Sequence, residues 1–95
     1  MLLEELVIIS LADIFEKRGY ATELRNKYYN LFEIVVTNRD GYSRIVRVNS
    51  RSSDGFYIFE PSDGGNVSLF LEAIRVSSDC VNNIIEAVEL SLQRT

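Results

Sequence analysis

Histidine is missing from all 95 residues of the chain, and cysteine occurs only once, at Cys80. Histidine is the commonest general base and the commonest metal ligand, so its absence excludes Ser-His-Asp and Cys-His catalysis and histidine-based metal sites. One cysteine cannot form an internal disulfide or a thiolate zinc site. Catalysis would have to rely on carboxylates alone, and we expect no enzymatic activity, no metal and no cofactor.

Phosphate-binding loops and long apolar runs are missing as well. The adjacent Gly64 and Gly65 belong to neither a GxGxxG nor a GK[ST] pattern. The longest apolar run, 6–9, is far shorter than the roughly 20 residues of a membrane span, and acidic Glu4 and Glu5 precede it where a signal peptide would be basic. We therefore expect no membrane segment and a cytoplasmic location.

The remaining composition is typical of one globular domain. Hydrophobic residues make up 46% of the chain and charged residues 25%, which favours a folded chain over a disordered one. A chain of this length can bury one core but not two, and no linker or internal repeat divides it. We expect a single domain over residues 1–95.

Apolar periodicity predicts an α+β fold. Helical spacing predicts an N-terminal helix over 2–18 and a C-terminal amphipathic helix that begins after Ser78 or Asp79 and runs to Gln93. Alternation predicts strands over 20–28, 31–37, 42–49 and 56–60. The segment 67–76 fits either a short helix or a strand, and we favour a strand because a helix follows so closely. Together these elements predict an antiparallel meander sheet of four to five strands.

The bend at 38–41 predicts how two of these strands pair. Asn38 at its first position and Gly41 at its fourth favour a type I turn closed by a left-handed glycine. This geometry places Ile34 opposite Val46 on one face and Glu33 opposite Arg47 on the other. A shift of one residue would destroy both matches.

The face that carries the predicted Glu33–Arg47 pair is our candidate site for a protein partner. The residues assigned to it are Leu31, Val35, Ile45, Arg47, Arg51, Tyr57 and Phe59. An exposed apolar and aromatic patch with a charged rim is typical of a partner-binding surface. Apolar residues on both faces of a sheet usually mean that both faces are covered, so we expect one helix on each face. The alternative is that both helices share one face and leave this one open.

The N-terminal helix has more apolar residues than one buried stripe needs. Leu2, Leu6 and Ile9 lie on the flank away from its main apolar face. These residues predict either a homodimer contact with a second copy or packing of the helix under the segment 61–77.

Basic residues suggest nucleic-acid binding as an alternative function. Residues 17–51 contain eight basic and three acidic residues, a net charge of +5 in a chain of net charge −4. Arg39, Arg44, Arg51 and Tyr42 would supply phosphate contacts and base stacking. The sequence pI of about 4.7 argues against this alternative, because phosphate neutralisation dominates the affinity of such proteins.

The order of elements also suggests a more remote alternative. A helix, Gly19-Tyr20, a strand with Glu33 and a strand that ends in Arg47-Val48-Asn49 resemble, over about forty residues, the layout of a restriction-endonuclease-like nuclease core. That resemblance implies an acid in the first strand and an acid-x-lysine pair in the next to bind Mg²⁺. Here Arg47 and Asn49 replace the second pair, which implies a catalytically dead protein. We expect a small non-enzymatic binding protein that acts through its sheet face, through homodimerisation, or through both.

Overall fold

The computed structural model describes residues 3–28, 31–49, 55–62 and 68–93. It confirms the predicted α+β fold: an N-terminal helix, a five-stranded antiparallel sheet and a C-terminal helix. The elements are α1 (Leu3–Lys17), β1 (Ala21–Tyr28), β2 (Leu31–Thr37), β3 (Ser43–Asn49), β4 (Gly55–Pro61), β5 (Ser68–Arg75) and α2 (Cys80–Gln93). Within the described residues, neither helix is long and apolar enough to cross a membrane.

The two helices begin and end where local chemistry requires. α1 stops before Gly19, which has a φ of +94°, a conformation that most side chains disfavour. α2 starts after Asp79, whose carbonyl oxygen accepts the backbone hydrogen bond of Asn83 at 3.0 Å. Asp79 is thus the N-cap, one of the two residues that the sequence predicted for this position.

The bend between β2 and β3 has the predicted geometry. Gly41 has a φ of +88°, and its amide donates to the Asn38 carbonyl at 3.1 Å. The Asn38 side-chain oxygen also accepts hydrogen bonds from the Asp40 and Tyr42 amides, both at 3.0 Å. These contacts stabilise the turn, and the predicted register is confirmed.

The sheet is a simple meander in which β1 and β5 form the two edges. The ambiguous segment is a strand, as we favoured, but its pairing with β4 shifts between Ile58 and Phe59 and leaves Leu71 as an extra residue. The pairing of β1 with β2 also shifts, between Asn26 and Tyr28. Irregularities of this kind at both edges disfavour the addition of a further strand.

Both helices pack on the same face of the sheet. A single buried cluster joins Leu11 and Phe15 of α1 to Ile84 and Val88 of α2. The same cluster contains the strand residues Ile34, Val36, Val46, Val48, Phe56, Ile58 and Ile74. Our expectation of one helix on each face was therefore wrong, because one continuous aliphatic layer accommodates both helices.

The position of α1 bears on one of the two interpretations of its apolar flank, the packing under the segment 61–77, and does not test the homodimer contact. α1 packs on β1 and β2, at the opposite side of the sheet from β5. The prediction that α1 packs under the segment 61–77 was wrong. The outer flank of α1 is consequently exposed, with Leu6 at 48% and Ile9 at 46% of their full accessibility.

Candidate functional site: the open face of the sheet

We call the side of the sheet away from both helices the open face. It contains two rows of side chains that run across the strands. The first row follows the pairs Arg25–Glu33, Glu33–Arg47 and Arg47–Tyr57, and ends at Ala73 on β5. In this charged row Glu33 is paired with an arginine on each of the two neighbouring strands.

Glu33 is the most unusual member of the charged row, because its carboxylate is fully buried although neither helix lies over it. The Arg47 Nε atom donates to Glu33 Oε2 at 2.9 Å, which confirms the ion pair predicted from the hairpin register. Burial of a carboxylate is tolerated only when opposite charges and hydrogen bonds compensate for the lost water. Arg47 contributes the ion pair, and Arg25 on the other neighbouring strand contributes a nearby positive charge.

The second row of the open face is mainly apolar. It begins at Glu23 on the β1 edge and continues through Val35, Ile45 and Phe59 to Phe70 on β5. Ile45 is buried and Val35 and Phe59 are half-buried, whereas Phe70 keeps 52% of its accessibility. The row therefore changes from charge at one edge of the sheet to exposed aromatic surface at the other.

Three aromatic rings form a cluster across β4 and β5. The Phe70 ring lies edge-on to Phe59, with centroids 5.8 Å apart, and 6.5 Å from the Tyr57 ring. Such offset and edge-on arrangements are the favourable geometries for aromatic pairs. We call Tyr57, Phe59 and Phe70 the aromatic cluster.

Arg47 connects the charged row to the aromatic cluster. Its guanidinium carbon lies 4.8 Å from the centre of the Phe59 ring, within the range of a cation–π interaction. The same group is held by Glu33, and its side chain keeps 28% of its accessibility. The partly exposed cation is therefore held by two contacts, one with Glu33 and one with Phe59.

The structure brings together the described part of the predicted partner-binding set. Tyr57, Phe59, Ile45, Val35 and Arg47 all lie on the open face. The register places Leu31 there as well, although its side chain is not described, and Arg51 lies outside the described residues.

Sequence reasoning missed Phe70. The apolar run Leu69–Leu71 was a signal, but the shifted pairing of β5 is what places Phe70 opposite Phe59. Strict alternation from the paired Ile58 and Glu72 would place Phe70 on the helical face. The sequence does not specify this irregularity.

The residues of the nucleic-acid alternative do not form one surface. Arg39 is exposed on the β2–β3 bend and Tyr42 keeps 50% of its accessibility, while Arg51 lies outside the described residues. Arg44 is only 3% exposed, and it donates to the carbonyl of Ser91 at 2.9 Å and to its hydroxyl at 3.1 Å. The Arg44 guanidinium thus binds the last turn of α2 and is not available to a phosphate.

The structure describes two of the three predicted dimer residues. Leu6 and Ile9 are exposed, as stated above, and Leu2 lies outside the described residues. Beside them a small cavity of about 200 Å³ lies between α1 and β1, and Ile9, Leu24 and Phe32 contribute to its lining. Leu24 on the β1 edge is 53% exposed, so the apolar flank of α1 continues onto the sheet edge.

Acidic residues of the described part do not come together as a metal site. Within residues 3–28, 31–49, 55–62 and 68–93, no three side chains of the metal-binding types Asp, Glu, Cys and His form a group. Glu33, the acid that the nuclease-like layout requires, is paired with Arg47. The arrangement therefore gives the remote nuclease alternative no support.

Comparisons of this chain with protein-family models, with curated proteins and with solved structures found no match.

Proposed function

We propose that this chain is a non-enzymatic, cytoplasmic protein that binds another protein through the open face. One observation supports this proposal above the others: the aromatic cluster lies on a sheet face over which neither helix packs. Exposed aromatic surface with a charged rim favours association, because its contact with water is unfavourable.

The chemistry of the open face fits a protein partner. Tyr, Phe and Arg are enriched in the centres of protein interfaces. The aromatic cluster and the adjacent Arg47 place all three types side by side. Arg47 is already held by Glu33 and by the Phe59 ring. The Arg47 side chain would therefore lose little conformational entropy when a partner binds to it.

The same geometry is less suitable for nucleic acid. Base stacking needs an aromatic ring whose flat side is accessible, and the Arg47 guanidinium lies over the Phe59 ring. The net charge of −4 also opposes attraction to phosphates. Nucleic acid is therefore the competing outcome of the test below.

The test compares two surface variants of the immobilised protein. Phe70→Ser removes the exposed centre of the aromatic cluster, and Leu24→Ser removes a side chain of similar exposure, 53% against 52%, at the opposite sheet edge. Extract of the native host, with and without nuclease treatment, is passed over wild type and both variants. We expect a protein that wild type and Leu24→Ser retain and that Phe70→Ser loses.

Two outcomes would contradict the proposal. One is a set of bound proteins that does not differ between Phe70→Ser and wild type. The other is binding that disappears when the extract is treated with nuclease, because the partner would then be a nucleic acid.

Self-association through the flank of α1 is a second candidate function. Leu6, Ile9 and Leu24 together form exposed apolar surface at one side of the molecule. The neighbouring Glu5 and Arg25 bear charges of opposite sign, so two copies related by a two-fold axis could bring unlike charges together.

Sedimentation equilibrium at several concentrations tests this candidate. We expect a concentration-dependent dimer that Ile9→Glu converts to monomer, while Leu90→Glu, at similar exposure on α2, leaves it unchanged. A wild-type chain that stays monomeric at every concentration would rule out self-association without affecting the open-face proposal.

A further inference from the structure

α2 does not run parallel to the β5 edge. Four residues separate it from β5, and it covers Ile74, which is buried against it. Its last turns are bound instead to β3, where Arg44 donates to the carbonyl and hydroxyl oxygens of Ser91. α2 crosses the sheet from β5 towards β3, and a wedge opens between α2 and β5.

The wedge is lined by exposed apolar side chains. Leu71 keeps 36% of its accessibility and Leu90 45%. Leu69, which keeps 60%, is paired with the wedge residue Glu60 of β4. Two neighbouring depressions of about 380 Å³ each lie along the wedge, and Glu72, Ala87 and Leu90 contribute to both. This surface lies on the helical side of the sheet and is distinct from the open face.

The charges around the wedge are mainly of one sign. Glu60, Glu72 and Glu86 line its depressions, and Arg75 is the exposed cation at one end. Arg44 also lines it, but its guanidinium is buried and bound to Ser91. α2 itself contains no basic residue.

We propose that the wedge binds an amphipathic helix of a protein partner, with lysine or arginine residues beside its apolar stripe. The apolar stripe would cover Leu69, Leu71 and Leu90, and the cations would meet Glu60, Glu72 and Glu86. Charge complementarity of this kind selects a partner and accelerates association. Helix-in-groove binding is a common mode of protein recognition.

Two observations favour a basic helix over other occupants. An added strand would need a regular edge, and the pairing of β5 is interrupted at Leu71. In a second copy, α2 would bring Glu86 towards Glu60 and Glu72, which have the same charge. A helix beside α2 would lie at the usual interaxial distance of about 8–10 Å and extend the existing helical layer.

The test uses two synthetic peptides with the same helical pattern of leucines, one with lysine and one with glutamate at the polar positions. Their binding to the full chain is measured by fluorescence anisotropy at physiological salt, where weak surface attraction is screened. We expect the lysine peptide to bind at least about tenfold more tightly than the glutamate peptide.

Variants of the protein locate the site of this binding. We expect Leu71→Ser to lower the affinity for the lysine peptide by about tenfold. The double variant Glu72→Gln with Glu86→Gln should have a similar effect. Leu24→Ser and Phe70→Ser should not, so failure here is distinguishable from failure of the open-face proposal. Circular dichroism of each variant verifies that it is folded.

Three results would overturn the proposal. Equal affinity for both peptides would show that charge complementarity does not select the occupant. Equal losses of affinity in Leu71→Ser and Leu24→Ser would indicate nonspecific binding. A wild-type dimer that Leu71→Ser dissociates would identify a second copy as the occupant of the wedge.

Discussion

The two faces of this sheet are built from the same strands but differ in chemistry. On β4, Phe56 is completely buried under the helices, whereas Phe59, three residues later, is half-buried on the open face under Arg47. The helical face is mainly apolar and closes one core, while the open face combines exposed aromatic rings with ion pairs. We infer that the helical face provides most of the stability, and the open face is the one that we propose for recognition.

The largest expected effect tests this division on a single strand. Phe56→Ala should lower the free energy of unfolding by about 3–5 kcal/mol, because it leaves a cavity in a close-packed core. Phe59→Ala should cost about 1 kcal/mol, since a half-buried ring loses less transfer free energy. Urea unfolding of both variants measures the difference. Equal losses would contradict the assignment of stability to the helical face.

The second effect compares two arginines of the same hairpin. Arg44→Ala removes the hydrogen bonds to Ser91 and to the Ser43 carbonyl and should cost about 2–3 kcal/mol, because buried acceptors lose their donors. Arg39 lies on the exposed bend, so Arg39→Ala should change the free energy of unfolding by less than about 0.5 kcal/mol. Urea midpoints provide the measurement, and a cost for Arg39→Ala as large as that for Arg44→Ala would contradict the distinction.

The third effect compares two ion pairs within the open face. Glu33→Gln should cost about 2 kcal/mol, because it removes the buried anion that binds Arg47. Glu23→Gln breaks an exposed pair with Arg25, which has an N–O distance of 3.0 Å, and should cost less than about 0.5 kcal/mol. A double-mutant cycle of Glu33 with Arg47 measures the coupling, and a coupling near zero would show that the pair does not stabilise this face.

The smallest expected effect is on the pH dependence of stability and involves Tyr20, which donates a hydrogen bond to Glu89 of α2. Burial, together with the hydrogen bond to Glu89, raises the pKa of Tyr20 above its usual value. The folded state therefore holds the Tyr20 proton more tightly than the unfolded state. The resulting contribution to the free energy of unfolding is complete below about pH 10 and is lost as the pH rises through the pKa of the folded state. Stability should fall more steeply above pH 10 in wild type than in Tyr20→Phe, and parallel pH profiles would contradict the assignment.

Most of the fold was predictable from local signals. Gly41 fixed the register because only a left-handed residue closes that bend, and the register then paired Glu33 with Arg47. Period-2 and period-3.6 patterns also located the strands and helices, because each periodicity matches one backbone geometry.

The covering of the sheet was not predictable in the same way. Periodicity identifies the apolar positions but not the element that buries them, so the sequence did not reveal that α1 and α2 share one face. Arg44 has the same charge as Arg39, and only the tertiary contact with Ser91 distinguishes them. The placement of Phe70 on the open face depends on an irregularity in the β4–β5 pairing, and no residue type in the sequence is diagnostic of it.

Methyl NOE spectroscopy of the isotope-labelled chain tests most directly whether one face of the sheet is covered and the other open. We predict NOEs from the Ile34 and Val46 methyl groups to core side chains of α1 and α2, such as Leu11 and Ile84. The Val35 and Ile45 methyl groups should show NOEs to neighbouring side chains of the open face and none to either helix. Strong NOEs from Val35 or Ile45 to the core of α1 or α2 would contradict the open face and the proposed binding surface with it.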